Sequence, residues 1–127
     1  MCIRDRRTHA NQSLKRYGAL KRAHWTAIMR SGLEPYLRRP VRDEEIAALI
    51  TVWRHDDSVG MGGIADAVMQ EALARFRQDV PDPALQARAR RRIAWQWYLG
   101  GRIFISRGYR LEGMKYLARA ARWRAGR

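Results

Sequence analysis

The sequence predicts an all-α fold of about five helices, and three observations support this prediction. Apolar residues recur at three- and four-residue spacing along most of the chain, as they do in helices that bury one face. No segment alternates polar and apolar residues with the period of two that is typical of a strand. Capping residues, prolines and glycines divide the periodic stretches into units of helical length. A chain of 127 residues has room for one domain.

The first helix is predicted over residues 14–30, because Ser31-Gly32 is a stop signal after a periodic stretch. Its apolar face holds residues at helical spacing: Tyr17, Leu20, His24 and Ile28. We interpret His24 on this face as a packing residue. Residues 33–42 contain two prolines and are predicted to be a connection between helices.

The second helix is predicted to begin at Asp43-Glu44-Glu45, which places negative charge at the positive end of the helix dipole. Its buried stripe is Ile46, Leu49, Ile50 and Trp53. Residues 56–63 are glycine-rich and are predicted to be a flexible loop. The loop precedes a helix, as phosphate-binding loops do, but the Lys and Ser/Thr of such loops are missing. The third helix is predicted over residues 64–77, with an inward face of Ala65, Met69, Leu73 and Phe76.

The chain ends in two helices that are predicted to form a hairpin. Asp82 is an N-cap and Pro83 suits the first turn of the helix predicted over residues 84–107. Its buried face is Ala89, Ile93, Trp97, Gly101 and Phe104. Gly108 is the expected joint, because a left-handed conformation is needed there. The last helix is predicted to turn Leu111, Met114, Leu117 and Ala121 inward and to expose Glu112, Lys115, Arg119 and Arg122.

This hairpin resembles a single tetratricopeptide-type unit. That repeat has a Trp, a small residue, an aromatic residue, a turn glycine and a late alanine. The corresponding residues here are, in the same order, Trp97, Gly101, Phe104, Gly108 and Ala120, and Gly113 replaces the packing alanine. No second copy is found one repeat length, about 34 residues, upstream. Because about three repeats are needed to bury a solenoid's faces, we interpret the hairpin as a packing device within a helical domain.

The first six residues resemble the translation of a sequencing adapter, a frequent scar at the ends of metagenomic reads. Residues 1–6 are therefore excluded from fold reasoning, and residues 7–127 are treated as one helical region from the C-terminal part of a longer protein. Cys2, the one cysteine, belongs to this segment. The remaining chain then has no disulfide, no thiol nucleophile and no cysteine-based metal site.

The chain is strongly basic, with a net charge of +14, or +13 when Arg4, Asp5 and Arg6 are left out. From Asp82 onward the chain contains twelve basic and two acidic residues, so this part has a net charge of +10. Such a surface attracts anionic lipid, nucleic acid or acidic partners. Only 3 of the 26 basic residues are lysines, so an arginine bias of GC-rich coding DNA is the alternative explanation.

One helical turn concentrates this charge beside two tryptophans: Arg88, Arg90, Arg91 and Arg92, followed by Trp95 and Trp97. Interleaved basic and aromatic residues suit a membrane surface or nucleic acid, with nucleic acid the less favoured partner. The alternative is a solvated helix face with tryptophans in the core. No run is long enough to span a bilayer, and we expect no signal peptide within these residues. The expected location is the cytoplasm, with peripheral attachment to the inner face of the cell membrane.

The segment RTHANQS, which begins at Arg7, resembles the late Arg-x-His motif that closes the catalytic domain of family 2 glycosyltransferases. The resemblance is diffuse over residues 7–30 and best over residues 90–123. It implies that His9 is a ligand of a divalent metal and that Arg7 lies beside the phosphates of a nucleotide sugar. It also implies an upstream catalytic domain as the partner of this region. The acidic metal motif and catalytic base of the family are missing, so this chain is expected to be inactive alone.

Two questions stay open, one about a short segment and one about the whole chain. The first concerns the segment Trp53-Arg54-His55-Asp56-Asp57-Ser58, which has three interpretations. It is the same family motif, a metal site of His55, Asp56 and Asp57, or the C-terminus of a helix followed by a loop. The whole chain is either the helical tail of a glycosyltransferase or a small basic binding module for a protein or an anionic surface. The sequence upstream of residue 7 discriminates between these functions.

Overall fold

The computed structural model describes the backbone of residues 3–55 and 59–126, and the side chains of residues 18–55 and 59–126. The described residues form five helices and no strand, which confirms the all-α prediction. The helices are α1 (Ile3–Leu37), α2 (Asp43–Arg54), α3 (Gly62–Asp79), α4 (Pro83–Ser106) and α5 (Arg110–Ala125).

Helix α1 does not stop at Ser31-Gly32 as predicted, but continues to Leu37. The Ser31 hydroxyl donates to the Ile28 carbonyl oxygen (2.9 Å), so it bonds within the helix instead of ending it. Pro35 lies in the last turn, where Leu37 is 1% exposed in the core. Burial of this turn therefore outweighs the local stop signals. Arg38, with a left-handed φ of 57°, ends the helix instead.

The predicted apolar face of α1 is also wrong. Leu20 is 71% exposed, Ile28 is 46% exposed and His24 is exposed, so His24 is not a packing residue. The side chain of Tyr17 lies outside the described residues. Among residues 18–28, every residue except Thr26 is exposed, so the other helices cover little of this part of α1. The residues of α1 that pack against the core are Met29, Leu33 and Leu37.

Helix α2 begins at Asp43 as predicted and buries Ile46, Leu49 and Ile50. Trp53, predicted to be buried beside them, is 42% exposed. An ion network joins α2 to α3. The Arg39 guanidinium donates to Glu45 (2.7 and 3.0 Å) and to Glu71 (2.7 Å), and Glu45 is 4% exposed. A buried carboxylate is thus held by a cation from the connection that follows α1.

Helix α3 begins two residues earlier than predicted, at Gly62, and ends at Asp79. Ala65, Met69 and Leu73 are buried as expected, and Phe76 is partly buried against the core. Helix α3 packs chiefly against α2. The period-based prediction of this face is therefore confirmed.

The C-terminal hairpin has its joint where predicted. The Asp82 carboxylate accepts from the Ala84 amide (2.9 Å) at the start of α4, and Gly108 is left-handed with a φ of 92°. The two helices approach closely at Gly101 and Gly113. A Cβ on Gly101 would lie 2.9 Å from the Gly113 carbonyl oxygen, so a larger residue there requires the helices to separate. The tetratricopeptide-like character of this hairpin stays a prediction.

Helix α5 is rotated relative to the prediction. Leu111 and Met114, predicted to face inward, are 73% and 60% exposed, and Ala121 is exposed. The residues that are buried instead are Glu112, Gly113, Tyr116, Ala120 and Trp123. This orientation brings Gly113 against Gly101 and buries two aromatic rings, which remove more apolar area from water than Leu and Met do.

The predicted burial of Trp97 (0% exposed) and Phe104 (3% exposed) is confirmed. Both rings make edge contacts with Tyr116, at centroid distances of 4.8 and 5.0 Å. Leu117, their predicted partner, packs near Gly101. Of the residues predicted to be solvated, Glu112 is buried and Arg119 is partly buried. Glu112 is 7% exposed, and the Arg119 guanidinium lies 5.3 Å from the Trp97 ring centroid.

Candidate functional site

The residues that the family resemblance singled out lie in α1, but their side chains are not described. Arg7 and His9 are within the helical backbone of Ile3–Leu37, and their contacts stay predictions. Asp56 and Asp57, the other predicted metal ligands, lie outside the described residues. Within the described part of the chain, no three His, Cys, Asp or Glu side chains are grouped to hold a metal ion.

His55 lies at the C-terminus of α2, where it adopts a left-handed φ of 57°. Its Nδ1 atom is buried and has no hydrogen-bond partner, while its carbonyl oxygen accepts from the Arg107 guanidinium (3.2 Å). Burial, and then the positive charge of Arg107, lower the pKa of the imidazole. The ring is therefore neutral at physiological pH, and the interpretation of His55 as a helix terminus followed by a loop fits its position.

An apolar groove of about 530 Å³ opens between α1, α2, α3 and α4. Its volume lies in the range of about 300–1,000 Å³ that is typical of ligand sites. One stripe of α1 forms a wall of the groove, and the stripe consists of Trp25, Met29, Leu33 and Tyr36. The opposite walls include Ile50, Trp53, Met69, Ala72, Phe76 and Ile93.

The mouth of this groove is aromatic and carries one positive charge. Trp25 and Trp53 are 39% and 42% exposed, and the Arg54 guanidinium lies 5.0 Å from the Trp25 ring centroid. Among the described residues that line the groove, Arg54 is the one charged residue. The sequence-based reasoning missed the groove because it ended the first helix too early. The three- and four-residue spacing from Trp25 to Tyr36 was the signal that could have found it.

A second surface runs along the solvent side of α4, and we call it the α4 outer stripe. It consists of Arg88, Arg91, Trp95, Tyr98 and Arg102, which are all exposed. Trp95 is 56% exposed and stacks on Tyr98 at 5.4 Å, and the Arg102 guanidinium lies 5.8 Å from the Tyr98 ring centroid. Of the two tryptophans that were predicted to lie beside the arginines, Trp97 is in the core and Trp95 is on the surface.

Fewer basic side chains face solvent than the charge pattern predicted. The Arg90 guanidinium lies against Gly126, at the C-terminal end of α5, where a helix dipole favours positive charge. Arg119 is directed inward over the Trp97 ring. On α5, Lys115 and Arg122 are exposed as expected. The outward-facing charge of α4 is therefore carried chiefly by residues of the outer stripe and by Arg92.

Comparison with protein-family models, curated proteins and solved structures gives no match to this chain. In the described part of the chain, no helix combines the length and the apolar character that crossing a membrane requires. The resemblances to glycosyltransferases and to tetratricopeptide repeats stay predictions.

Proposed function

We propose that this chain is the helical region of a family 2-like glycosyltransferase, and that it holds the catalytic domain of that enzyme at an anionic membrane surface. The parent enzyme would move a sugar from a nucleotide-sugar donor to a glycan or lipid-linked acceptor. The catalytic domain would supply most of the site for a divalent metal and the nucleotide sugar, beside Arg7 and His9. The RTHANQS resemblance supports the identity of the parent, and the two surfaces described above support the holding role.

The observation that carries the proposal is that two unlike surfaces lie on opposite sides of α4. Ala89 and Ile93 line the apolar groove. With 3.6 residues per turn, Trp95, Tyr98 and Arg102 point about half a turn away from Ile93. A partner in the groove and a partner on the α4 outer stripe would therefore not compete for space.

The chemistry of the α4 outer stripe suits the boundary between membrane and water. Trp and Tyr side chains are enriched at that boundary, where one part of the ring is apolar and another is wet. Arginines bind lipid phosphates through paired donors, and helix α4 contains no acidic residue to oppose them. Each basic residue near an anionic leaflet contributes about 1 kcal/mol, so three of them give reversible attachment.

Vesicle sedimentation tests the attachment. We expect the chain to bind phosphatidylglycerol vesicles more strongly than phosphatidylcholine vesicles, and to lose binding as salt screens the charges. Reversing Arg91 and Arg102 to Glu together should abolish the preference. Reversal of Arg77 and Arg110 changes the net charge equally at exposed sites off the stripe and should retain most of the binding. Equal losses of vesicle binding in the two double variants would show that net charge, and not the stripe, causes the binding.

Docking of the catalytic domain is proposed to use the apolar groove, since apolar clefts of this volume are typical of binding sites. The test is to express the domain that is encoded upstream and to measure its binding to this chain by calorimetry. Ala72→Trp fills the groove and should weaken binding at least tenfold, whereas Ala121→Trp, on the exposed side of α5, should not. This chain alone should show no sugar transfer. Equal affinities of the two variants would contradict the proposed docking surface.

The groove also favours a second candidate function, a self-contained binding module that takes an apolar helix of another protein. The exposed apolar residues Leu20 and Ile28 of α1 would extend such a contact. The upstream coding sequence discriminates between the candidates. An α/β domain with an acidic metal motif supports the glycosyltransferase, whereas further helical repeats of about 34 residues support the module.

A further inference from the structure

The solvent side of α5 carries a row of apolar side chains, which we call the α5 outer seam. Its residues follow one another at intervals of three, four, three and four positions, and they are Leu111, Met114, Ala118, Ala121 and Ala125. All five are exposed, with Leu111 at 73% and Met114 at 60%. The seam lies about half a turn from the buried face of α5, which holds Tyr116 and Trp123. It shares no residue with the apolar groove or with the α4 outer stripe.

The spacing of the seam is that of a coiled-coil contact. Apolar residues at alternating steps of three and four form the a and d positions, along which two helices pack side by side. A helix that lies in a membrane surface has, by contrast, a face with Trp, Phe or Leu that enters the lipid. The seam has no aromatic residue, and three of its five residues are alanines. Alanine buries little area in lipid but lets another helix approach closely, so the seam favours a helix as its partner.

Basic side chains flank the seam on both sides. Lys115 and Arg122 lie along one flank, Arg110 and Arg124 lie along the other, and all four are exposed. Every exposed residue of α5 is either one of these four or belongs to the seam. The one acidic residue of the helix, Glu112, is 7% exposed and lies on the buried face. In coiled coils, the charges that flank the seam decide which partner helix binds.

We propose that the α5 outer seam binds an acidic amphipathic helix of a partner protein. Such a helix places its apolar stripe on Leu111 and Met114 and its carboxylates opposite the basic flanks. A second copy of this chain is the poorer occupant, because basic flanks would meet basic flanks in either orientation, and like charges across an interface repel. The inference goes beyond the proposed function, since it uses neither the groove nor the α4 outer stripe.

Fluorescence anisotropy of a labelled synthetic helix tests the proposal on the full chain. The probe is a peptide of about three heptads with Leu at positions a and d and Glu at positions e and g. The control is a scrambled peptide of the same composition, which keeps the charge but has no apolar stripe. It is needed because a chain with a net charge of +14 attracts any acidic peptide. We expect saturable binding of the probe, roughly tenfold tighter than that of the scrambled peptide or more.

One pair of variants tests the apolar contact. Met114→Gln removes an apolar side chain from the seam without changing the net charge. It should weaken probe binding about tenfold, which corresponds to the free energy of burying a methionine side chain. Leu85→Gln makes a similar change on α4, where Leu85 is 45% exposed, and should leave the affinity unchanged. Unchanged affinity in Met114→Gln would show that the probe does not bind the seam.

A second pair tests the flanking charges. Reversing Lys115 and Arg122 to Glu together should weaken probe binding about tenfold or more, because carboxylates would then face carboxylates. Reversing Arg91 and Arg102 of the α4 outer stripe changes the net charge equally and should retain most of the affinity. All four side chains are exposed, so both variants should fold, and far-UV circular dichroism checks this.

Three further results would overturn the proposal. Equal affinities for the probe and the scrambled peptide, or equal losses in the two double variants, would show that net charge alone attracts the probe. Binding of phosphatidylglycerol vesicles that is lost in the Lys115 and Arg122 variant, but kept in the Arg91 and Arg102 variant, would assign the seam to a membrane. It would also contradict the proposed role of the α4 outer stripe. A dimer that Met114→Gln dissociates in sedimentation equilibrium would assign the seam to a second copy of the chain.

Discussion

Trp97→Ala is expected to lower the free energy of unfolding by about 3–5 kcal/mol, the cost of removing a large buried aromatic side chain. Trp97 is 0% exposed and packs edge-on against Tyr116 at a centroid distance of 4.8 Å. Its removal leaves a cavity at the centre of the hairpin and takes away the ring on which the Arg119 guanidinium lies. Urea unfolding followed by far-UV circular dichroism measures the loss without relying on tryptophan fluorescence.

Trp95→Ala is the matched control, because it makes the same chemical change two residues away on the same helix. Trp95 is 56% exposed, so its replacement should cost less than about 1 kcal/mol. Phe104→Ala, at a second buried position of the same face, should resemble Trp97→Ala and also cost about 3–5 kcal/mol. Similar losses for Trp95→Ala and Trp97→Ala would contradict the assignment of one ring to the core and the other to the surface.

Arg39→Ala is expected to lower the free energy of unfolding by about 3 kcal/mol, because it removes the cation that bonds both oxygens of the buried Glu45 carboxylate and leaves the Arg42 Nε atom, at 3.3 Å, as its charged partner. Glu45 is 4% exposed and receives two bonds from the Arg39 guanidinium, at 2.7 and 3.0 Å. The same guanidinium binds Glu71 on α3, so the substitution also loosens the contact between α2 and α3. The midpoint of urea unfolding at neutral pH measures this loss.

The same network makes the stability depend on acid pH. Bonds from Arg39, more than any other cause, lower the pKa of Glu45 to about 2, from 4.5 in the absence of the fold. A folded pKa below the unfolded one means that the stabilisation is complete above about pH 4.5 and is lost as the pH falls towards about 2. The loss over this window is roughly 3 kcal/mol. Glu71, whose pKa is also lowered by Arg39, acts in the same direction.

Glu45→Gln separates this titration from the general repulsion between positive charges at low pH. The variant should lose less stability than the wild-type chain between neutral pH and about pH 3, since it has no carboxylate to protonate. Asp43→Asn is the control, because Asp43 pairs with Arg30 while its side chain is 89% exposed. It should follow the wild-type curve. A parallel decline of the wild-type and Glu45→Gln curves would show that Glu45 does not contribute to the acid dependence.

The starts of α2 and α4 and the hairpin joint were predictable because their signals are local, whereas the predicted start of α1 at residue 14 is wrong, since that helix begins at Ile3. Asp82 and Pro83 specify the start of α4 through one cap and one fixed φ, and Gly108 specifies the turn through its freedom at positive φ. None of these depends on a distant part of the chain. The acidic start of α2 at Asp43 is of the same kind.

Helix faces were less predictable, since two sets of residues can share helical spacing. On α5, Leu111, Met114 and Leu117 compete with Gly113, Tyr116 and Trp123, and the second set is buried. The choice depends on the backbone of α4, because Gly101 admits close approach only where another glycine faces it. The groove was missed for a similar reason, since it requires α1 to continue past Ser31 and meet three other helices.

Tryptophan quenching by brominated phosphatidylglycerol vesicles tests most directly the proposed contact between the α4 outer stripe and an anionic membrane. The chain has five tryptophans, so the contribution of Trp95 is the difference between the wild-type chain and Trp95→Phe. We predict that this difference signal is strongly quenched by brominated lipid and shifts to shorter wavelength on binding. An unquenched Trp95 signal with bound vesicles, and quenching confined to the remaining tryptophans, would show that another surface meets the membrane.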